Sequence, residues 1–270
     1  MLIKYGQKNQ LVQDLQAALN QNGAQLTVDG DFGEATLAAV KEYQRAHNLI
    51  VDGVVGDRTW GMLTANYSDS KHLTESDISA AAETLGVDVA AIKAIIRTEA
   101  PKGGFNDNGQ VTVLFERHKM YHYLSKKQGK AAADTYARDY PNLVNTVAGG
   151  YYGGTAENAR LANAMRIDAE CALLSASYGR FQIMGFNYKG CGYDSVQAFY
   201  DAMAESEGKQ LQAFVALINS NAPLKKALKA KNWEQVAELY NGKAYRKNQY
   251  HLKLARYYAL YQSDNAPVAA

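Results

Sequence analysis

Glu99 is the side chain whose position in the sequence best suits acid catalysis. It follows Ile92 and Ile96 at four- and three-residue steps, so its carboxyl group falls on the apolar stripe of a predicted helix. Pro101 disfavours helical geometry in the residue before it, which predicts that the helix ends there. Desolvation and the C-terminal end of a helix dipole both disfavour the charged form of such a carboxyl, which suits it to protonate a glycosidic oxygen. The alternative is an interfacial glutamate that reaches water or pairs with Arg97.

Other hydrolytic chemistries have weaker support in the sequence. His118 and His122 are four residues apart, as in the H-E-x-x-H zinc motif, but Lys119 stands where that motif requires glutamate. No distant cluster of His, Cys and Asp completes a zinc site. The sequence also contains no G-x-S-x-G motif and no papain-like cysteine motif, which would indicate acyl transfer. We therefore expect neither zinc-dependent hydrolysis nor acyl transfer, and no metal or cofactor.

The helix that carries Glu99 is preceded by clear start and stop signals. Residues 74–77, T-E-S-D, come before an alanine-rich apolar run and predict a helix N-terminus. Gly86 predicts the end of that helix, and Asp88 is placed to cap the next one. Upstream, residues 66–73 are polar and show no periodicity, which predicts a linker.

One sequence motif occurs twice in the first 65 residues. The pattern D-G-x-apolar-G-x-x-T occupies residues 29–36 and recurs at residues 52–59, an offset of 23 residues. Each copy follows an apolar approach into a tight turn, where glycine supplies backbone angles that other residues resist. We expect the threonine of each copy to open or cap a helix. With apolar residues at helical spacing before and between the copies, the segment is predicted to form three small helices joined by two matched loops.

This segment resembles the peptidoglycan-binding domain type 1 family. Besides the two loops, Leu15-Gln16, Gly23, Tyr43-Gln44 and Thr59-Trp60 fall in register with that family over residues 12–63. The resemblance implies a groove between the loops for a glycan or a stem peptide, although each glycine alone is better explained by turning the chain. The residues that we expect at the wall-binding site are Asp29, Gly30, Thr36, Tyr43, Asp52, Gly53, Thr59 and Trp60.

The rest of the chain resembles the N-acetylmuramidase domain of phage endolysins, within the wider lysozyme and lytic-transglycosylase-like group. The residues that carry this resemblance are Glu99 with the glycine-rich residues 103–104, L-F-E-R-H at 114–118, S-Y-G-R-F-Q-I-M-G at 177–185 and L-Y-N-G at 239–242. It covers about residues 72–262 and implies that Glu99 is the catalytic acid. Many relatives carry serine and glycine after this glutamate, whereas Ala100-Pro101 stand here.

A second carboxyl group is expected beside the acid. In glycosidases the two carboxyls lie about 5 Å apart when a covalent intermediate forms, and about 6.5 to 9.5 Å apart when a water fits between them. Glu116 is the first candidate, because it lies in the segment that matches the family. A structural salt bridge between Glu116 and Arg117 or another neighbour is an equally strong alternative. Asp107 is a weaker candidate.

Four further residues are predicted to contact the sugar. They are Tyr178, Gln182, Tyr240 and Asn241. Phenol faces stack on pyranose rings, and amides form hydrogen bonds with N-acetyl groups. Each of the four could instead belong to the core, and asparagine followed by glycine is common at helix ends for backbone reasons alone.

Composition bounds the remaining possibilities. The chain has 270 residues, 47% of them apolar, which suffices for one small and one larger core. No apolar run reaches the roughly 18 residues of a membrane span, and the N-terminal residues lack the apolar core of a signal peptide. A net charge of +2 gives no support for nucleic-acid binding. Cys171 and Cys191 are expected to be buried small hydrophobes.

These observations predict a mainly α protein with a small three-helix wall-binding module and a larger lysozyme-like catalytic domain. The predicted limits are residues 1–65 for the module, 66–73 for the linker, 74–262 for the catalytic domain and 263–270 for a flexible tail. The predicted activity is cleavage of the β-1,4 bond between N-acetylmuramic acid and N-acetylglucosamine by an endolysin. We expect a monomer that acts on bacterial peptidoglycan, binds no nucleic acid, inserts in no membrane and resides in the host cytoplasm before release. A lytic transglycosylase and a non-catalytic wall-binding protein are the alternatives, and the sequence does not separate muramidase from transglycosylase.

Overall fold

The structure is a computed structural model that describes residues 2–64, 71–99 and 103–263, without the side chains of residues 99, 243, 244 and 263. Most of the predicted linker at 66–73, residues 100–102 of the glycine-rich loop and the predicted tail after residue 263 lie outside the described residues. The chain divides into two compact units, Met1–Ser79 and Ala80–Ala270. Each unit is described separately below.

Helices dominate both units. Within the described residues the helices are α1 (Gln10–Gln21), α2 (Glu34–Ala46), α3 (Asp57–Leu63), α4 (Glu75–Leu85), α5 (Val89–Glu99), α6 (Arg117–Gln128), α7 (Lys130–Asp139), α8 (Ala156–Met165), α9 (Ala169–Leu174), α10 (Val196–Glu205), α11 (Glu207–Ser220), α12 (Ala222–Lys229), α13 (Trp233–Asn241) and α14 (Tyr250–Ser263). Three short strands accompany them, β1 (Val113–Phe115), β2 (Ala176–Tyr178) and β3 (Ile183–Met184). The prediction of a mainly α fold is confirmed.

The first unit is built on α1, α2 and α3. Their inward faces enclose a core that includes Val12, Leu15, Val40 and Leu63, all buried. Ile3 pairs with Val55 in an antiparallel bridge, so the N-terminal residues close over the second loop of the repeat. The predicted arrangement of three helices joined by two matched loops is confirmed.

The threonines of the repeat do not cap these helices, contrary to the sequence-based prediction. Gly33 precedes α2 and Gly56 precedes α3, each with an extended backbone and no side-chain cap. Thr36 and Thr59 are the third residues of their helices, and both are buried. The hydroxyl of Thr36 donates instead to the Asp31 carbonyl (3.2 Å). Thr36 therefore faces the inside of the loop that precedes its helix.

Helix α4 begins as the sequence predicts. The Thr74 amide donates to Asp77 Oδ2 (2.9 Å), and the Asp77 amide donates to Thr74 Oγ1 (3.2 Å). This reciprocal pair is a capping box, which satisfies amides that the first helical turn leaves without partners. The Val51 amide also donates to Glu75 Oε2 (3.0 Å), so the start of α4 is bonded to the second loop of the first unit.

In the second unit, α5 packs along α14, and α14 also packs on α13. Ile92, Ile95 and Ile96 of α5 are buried, as are Leu254 and Tyr261 of α14. A buried apolar stripe on each helix explains the pairing, because neither stripe could be left in water. We find no helix in the described residues with the length and hydropathy needed to span a membrane.

The three strands form one small antiparallel sheet in the order β1-β2-β3. Val113 pairs with Tyr178, and Tyr178 pairs in turn with Ile183. Just before β1, the Thr112 amide donates to the Gly104 carbonyl (2.9 Å), and the Gly179 amide donates to the Thr112 carbonyl (2.8 Å). The sheet thus connects the glycine-rich loop after α5 to the turn between β2 and β3.

Candidate active site

Helix α5 ends at Glu99, and the side chain of Asp88 fixes its start. Asp88 Oδ1 accepts a hydrogen bond from the Ala91 amide (2.8 Å), and Oδ2 accepts one from the Tyr258 hydroxyl (2.8 Å). Lys231 Nζ lies 3.1 Å from the same carboxylate. Burial alone would raise the pKa of Asp88, but these hydrogen bonds outweigh it and lower that pKa. A negative charge is thereby kept at the helix N-terminus, where the helix dipole favours it.

A buried carboxylate holds the loop after Glu99. The Gly104 amide donates a hydrogen bond to Glu207 Oε1 (2.5 Å). Glu207 is 1% exposed, and its carboxylate forms an ion pair with Arg180 Nε (3.2 Å). Arg180 belongs to the turn between β2 and β3, so Glu207 joins that turn to the glycine-rich loop. The sequence carries no signal for this role, because Glu207 is distant in sequence and sits in an ordinary helical stretch.

Two glycines pack against the amide of Gln210. A Cβ on Gly104 would overlap Gln210 Oε1, and a Cβ on Gly179 would overlap Gln210 Cδ. The amide is itself fixed, because Oε1 accepts from the Arg180 amide (2.7 Å) and Nε2 donates to the Met203 carbonyl (2.8 Å). Only glycine fits at these two positions while Gln210 stays in place. The packing brings the loop after α5 against the turn after β2.

We expect Gly179→Ala to lower the free energy of unfolding of the second unit by about 2–4 kcal/mol, since alanine there combines a left-handed backbone (φ 68°) with overlap on Gln210. Gly109→Ala is the matched control: its φ is 77°, but nothing lies within 4 Å of the added Cβ. The control should lose only about 1–2 kcal/mol. Urea unfolding followed by Trp233 fluorescence in a Trp60→Phe background measures both. Equal losses would mean that the contact with Gln210 adds nothing.

The structure separates the two predicted sugar contacts of the β2–β3 segment. Tyr178 is fully buried, and its hydroxyl donates to the Leu173 carbonyl (2.9 Å), which matches the core alternative. Gln182 is exposed and has a positive φ of 47°, an uncommon backbone conformation for glutamine. Its amide donates to the Gly179 carbonyl (2.8 Å) and accepts from the Ser177 hydroxyl (2.8 Å). Backbone strain of this kind clusters at functional sites, so Gln182 stays a site candidate and Tyr178 does not.

The end of α13 lies beside the Gln182 turn. The Tyr240 hydroxyl donates to the Phe181 carbonyl (3.1 Å), and the Tyr240 ring meets Phe214 edge-on at 5.3 Å. Tyr240 and Asn241 line one small hollow together with Ile95 of α5. Ile95 precedes Glu99 by four residues, about one helical turn. The structure therefore places the end of α13 beside the Gln182 turn and beside the part of α5 that lies one turn before Glu99.

Glu116 stands at the start of α6 and is held by a tyrosine. The Tyr151 hydroxyl lies 2.9 Å from each of its carboxylate oxygens, and His118 Nδ1 lies 3.1 Å from Oε2. The histidine contact is ionic only when His118 is protonated, and its geometry is not that of a hydrogen bond. Burial, followed by the hydrogen bond to Glu116, raises the pKa of Tyr151, so this hydroxyl keeps its proton. Arg117, the partner named in the salt-bridge alternative, donates to backbone carbonyls instead.

Strand β1 separates Glu116 from the glycine-rich loop. Thr112 pairs with Gly104 just before the strand, and Glu116 follows its last residue, Phe115. The four residue steps from Thr112 to Glu116 span about 13 Å of extended chain. Glu116 therefore lies at the opposite end of β1 from the loop that follows Glu99. The weaker candidate, Asp107, is exposed.

Two arginines fix the backbone of the segment that contacts Glu116 through Tyr151. Arg117 and Arg160 both donate hydrogen bonds to carbonyl oxygens of residues 141–149. The acceptors are Pro141, Val147 and Ala148 for Arg117, at 2.8 to 3.3 Å, and Asn142 and Gly149 for Arg160, also at 2.8 to 3.3 Å. Guanidinium groups suit this task because their donors point in several fixed directions. The segment is thereby held although it has no regular secondary structure.

Arg160 is itself paired inside the protein. Glu157 and Arg160 are 0% and 2% exposed, and their side chains meet at 3.1 Å. The Glu157 carboxylate also accepts hydrogen bonds from the Phe115 amide (3.0 Å) and the Tyr152 amide (2.6 Å). This buried pair therefore connects the end of β1, next to Glu116, to the Tyr151-Tyr152 segment. A carboxylate three residues before an arginine on a helix usually indicates a surface pair, so burial of this pair could not be predicted from the spacing.

In the first unit, Gln16 fills the first loop of the repeat. Its Nε2 donates to Asp29 Oδ1 (2.8 Å), the Asp31 carbonyl (3.1 Å) and Thr36 Oγ1 (3.1 Å). Its Oε1 accepts from the Gly30 amide (2.9 Å), and the side chain is 1% exposed. Hydrogen bonds from the Asp31 amide and then from Gln16 lower the pKa of Asp29. The buried side-chain amide of Gln16 thus has its hydrogen-bond partners among the polar groups of this loop.

Gln44 does the same in the second loop. Gln44 lies 28 residues after Gln16 in the sequence. Its Nε2 donates to Asp52 Oδ1 (3.0 Å) and to the Val54 carbonyl (3.0 Å), and its Oε1 accepts a hydrogen bond from the Gly53 amide (2.9 Å). The repeat therefore extends beyond the two loops: each copy is a helix with a buried glutamine followed by the loop that the glutamine fills. Gln16 lies 13 residues before Asp29 and Gln44 lies 8 residues before Asp52, so the 23-residue offset of the loops gave no signal for the shared role of the two glutamines.

The eight predicted wall-binding residues differ in accessibility. Asp29 is exposed, and Asp52 and Trp60 are half-buried. The other five are buried: Gly30, Thr36, Tyr43, Gly53 and Thr59. The Tyr43 ring stacks on His47 at 4.0 Å and belongs to the core of the unit. The buried residues shape the loops, while Asp29, Asp52 and Trp60 are accessible to a ligand.

We expect Gln16→Ala to lower the free energy of unfolding of the first unit by about 2 kcal/mol, because the Gly30 amide and its neighbours would be left buried without partners. Gln10→Ala is the control, since Gln10 is an exposed residue of the same helix and should change stability by less than about 0.5 kcal/mol. Trp60 fluorescence during urea unfolding, in a Trp233→Phe background, measures the unfolding of the first unit. Equal stability of the two variants would mean that the buried amide is dispensable.

Two families match this chain. Residues 88–262 match N-acetylmuramidase, and residues 8–63 match the putative peptidoglycan binding domain. A crystal structure of the Burkholderia AP3 phage endolysin is similar with a TM-score of 0.90 and 44% identity, over 97% of this chain and 100% of that one. The zinc D-Ala-D-Ala carboxypeptidase of Streptomyces albus G is 41% identical over 61 residues, which are 22% of this chain and 24% of that enzyme. The chain thus spans about a quarter of the length of this relative.

An N-acetylmuramidase domain that follows a peptidoglycan-binding domain, in a chain similar to a phage endolysin, defines a glycoside hydrolase that degrades peptidoglycan. The chain belongs to the N-acetylmuramidase family. The resemblance to a modular phage endolysin, predicted from the sequence motifs, is confirmed, and so is the predicted class of enzyme. Peptidoglycan is its substrate.

Proposed function

We propose that this protein is an endolysin that hydrolyses the β-1,4 bond between N-acetylmuramic acid and N-acetylglucosamine, with Glu99 as the general acid. The observation that carries the proposal is the convergence of the end of α5 with the Gln182 turn and the Tyr240-Asn241 helix end in a chain of this family. Glu99 would protonate the glycosidic oxygen while the sugar develops oxocarbenium character.

Three residues around that point are proposed to orient the sugar. The amides of Gln182 and Asn241 suit the N-acetyl groups of the substrate, and Tyr240 offers a partly exposed ring. Gln182 is the strongest of them, because its side chain is held by two hydrogen bonds and its backbone is strained. A pre-oriented amide loses less entropy when the sugar binds than a mobile one does.

Glu116 is retained as the proposed second carboxylate. Its distance along β1 from the glycine-rich loop, about 13 Å of strand, weakens this assignment, since paired carboxyls of glycosidases lie about 5 to 9.5 Å apart. Glu116→Gln tests it directly. A loss of turnover as large as that of Glu99→Gln supports a catalytic role, and a weaker affinity with turnover intact supports a role in substrate binding.

The first unit is proposed to hold the enzyme on the cell wall. A weak binding module raises the effective concentration of the active site along the polymer, so cleavage after docking becomes almost intramolecular. Asp29, Asp52 and Trp60 are the proposed contacts to the wall, with the buried loop residues supporting them. We further propose domain limits at residues 1–65 and 74–262, a monomeric enzyme, and accumulation in the host cytoplasm before release and lysis.

Mass spectrometry of the fragments released from purified peptidoglycan tests this function. Reducing N-acetylmuramic acid ends are expected, because hydrolysis places water on the anomeric carbon. Ends carrying 1,6-anhydro-muramic acid would contradict the proposal and assign a lytic transglycosylase that needs no attacking water. Reducing N-acetylglucosamine ends would also contradict it, since the other glycosidic bond would then be the one cleaved.

A further inference from the structure

Residues 148–154, A-G-G-Y-Y-G-G, present two exposed tyrosines at a fixed position. Tyr151 and Tyr152 are 46% and 60% exposed, although each ring offers enough apolar surface to be buried. The glycines on both sides all have positive φ, between 53° and 101°. Other residues rarely adopt such angles, so the glycines allow the chain to turn outward and back around the tyrosine pair.

The tyrosine pair is held on the protein side. The Tyr151 hydroxyl binds the Glu116 carboxylate, and the Tyr152 amide binds Glu157. The Arg160 guanidinium lies 6.0 Å from the Tyr151 ring centroid and 5.8 Å from that of Tyr152, at the limit of a cation–π contact. Carbonyls on the N-terminal side of the pair are bound by Arg117 and Arg160. An exposed aromatic pair that is fixed in this way is arranged before any ligand arrives, which lowers the entropic cost of binding.

A groove runs beside Tyr152. Its volume is about 420 Å³, within the range of small-molecule sites, and its lining includes Tyr140, Asn142, Leu143, Tyr152, Arg160 and Asn163. The Asn142 amide donates to the Tyr152 hydroxyl (3.1 Å), which fixes both side chains. Tyr140, which also lines the groove, is 51% exposed. Aromatic rings next to amides form a surface for a sugar, because rings stack on pyranose faces and amides form hydrogen bonds with N-acetyl and hydroxyl groups.

We propose that the Tyr151-Tyr152 loop and this groove form an accessory subsite for an N-acetylated sugar unit of the glycan strand, beyond the sugars on either side of the cleaved bond. The inference rests on the proposed function, since it takes peptidoglycan glycan as the ligand. Continuity with the site favours this ligand: Tyr151 touches Glu116, which follows β1, and the other end of β1 adjoins the glycine-rich loop. One strand could therefore lie along the sheet and reach both places.

The experiment measures the binding of peptide-free glycan strands to the full chain carrying Glu99→Gln. Strands of four and of twelve sugars are compared by calorimetry. Tyr152→Ala is expected to weaken binding of the twelve-sugar strand about tenfold, the loss typical of removing one central aromatic contact. Binding of the four-sugar strand should stay unchanged, because four sugars fill the central cleft first. Tyr152→Phe, which keeps the ring, should bind the long strand within about twofold of its parent.

Three outcomes would overturn the subsite. They are unchanged binding of long strands by Tyr152→Ala, an equal loss for both strand lengths, and a loss in Tyr152→Phe as large as in Tyr152→Ala. Leu252→Ala, which alters a residue of α14 that is 56% exposed, controls for general surface effects. Failure of the proposed function is distinct: the Glu99→Gln parent would then still degrade the strands, or the unmodified protein would leave them intact, and mass spectrometry of the same samples detects either.

Discussion

Glu99→Gln should reduce the release of fragments from purified peptidoglycan by about 10²- to 10⁴-fold, the range that a general acid contributes. Glutamine has the size of glutamate but no proton to give to the leaving oxygen. Binding to the wall should persist, because the first unit and the sugar contacts are unchanged. Turbidity loss of a sacculus suspension measures turnover, and sedimentation with the sacculi measures binding.

Glu83→Gln is the matched control for that experiment. Glu83 is an exposed glutamate of α4, so the same chemical change there should leave turnover unaltered. Unchanged lysis by Glu99→Gln would remove Glu99 as the acid. A wild-type protein that binds sacculi and releases nothing would instead support the non-catalytic alternative.

Glu157→Gln should lower the free energy of unfolding of the second unit by about 3–5 kcal/mol, because it leaves the Arg160 guanidinium buried without a counter-charge. The variant should also lose activity at temperatures where it is still folded. The reason is that Glu157 accepts hydrogen bonds from the amides of Phe115, which precedes Glu116, and of Tyr152, which follows the tyrosine that contacts Glu116. Urea unfolding with Trp233 fluorescence, in the Trp60→Phe background, measures the first effect. Turnover at low temperature measures the second.

A surface ion pair provides the comparison for Glu157. Lys130 and Asp134 are four residues apart on α7, and their side chains meet at 2.7 Å but stay exposed. Asp134→Asn should cost less than about 1 kcal/mol, because water screens the pair and solvates the remaining charge. If Glu157→Gln cost no more than Asp134→Asn, the buried pair would not anchor the Tyr151-Tyr152 segment.

The losses expected for Glu157→Gln follow from one feature of the second unit: its candidate site is assembled from loops fixed by buried polar side chains. Glu207 and Gln210 hold the loop after α5 and the turn after β2. Glu157 and Arg160 hold the segment that reaches Glu116. Loops held in this way can present strained or exposed groups, such as Gln182 and Tyr152, without losing their shape.

The thiols play no comparable role. Cys171 and Cys191 are both buried and unpaired by any disulfide, and burial raises the pKa of each thiol to about 12. A thiol with such a pKa is a poor nucleophile at neutral pH. The expectation that they serve as small buried hydrophobes agrees with this environment.

Local signals were sufficient for much of the fold. The capping residues at Thr74 and Asp88 and the glycines at 86 and 242 mark helix ends where the structure has them, because caps and left-handed glycines act over a few neighbouring residues. Helical periodicity likewise predicted that the chain would be mainly α. The position of Glu99 at the end of α5 needed only the apolar stripe before it and the proline after it.

Long-range contacts were beyond such reasoning. The bond between Gly104 and Glu207 joins residues 103 positions apart, and nothing near either residue indicates it. Tyr178 resembled a sugar contact in its motif but is buried, because strand pairing turns its ring inward. Thr36 resembled a helix cap but faces Gln16, which is contributed by a different helix.

The sequence by itself determined the helices, the repeated loops and the family, since these depend on neighbouring residues and on motifs, and it is also the basis for proposing Glu99 as the acid. Only the tertiary structure decided which polar side chains are buried as partners of the loops and which aromatic rings stay exposed beside the site. A buried glutamine and an exposed one have the same chemistry in the sequence. What distinguishes them is whether distant backbone groups surround them, and the packing of the whole unit sets that.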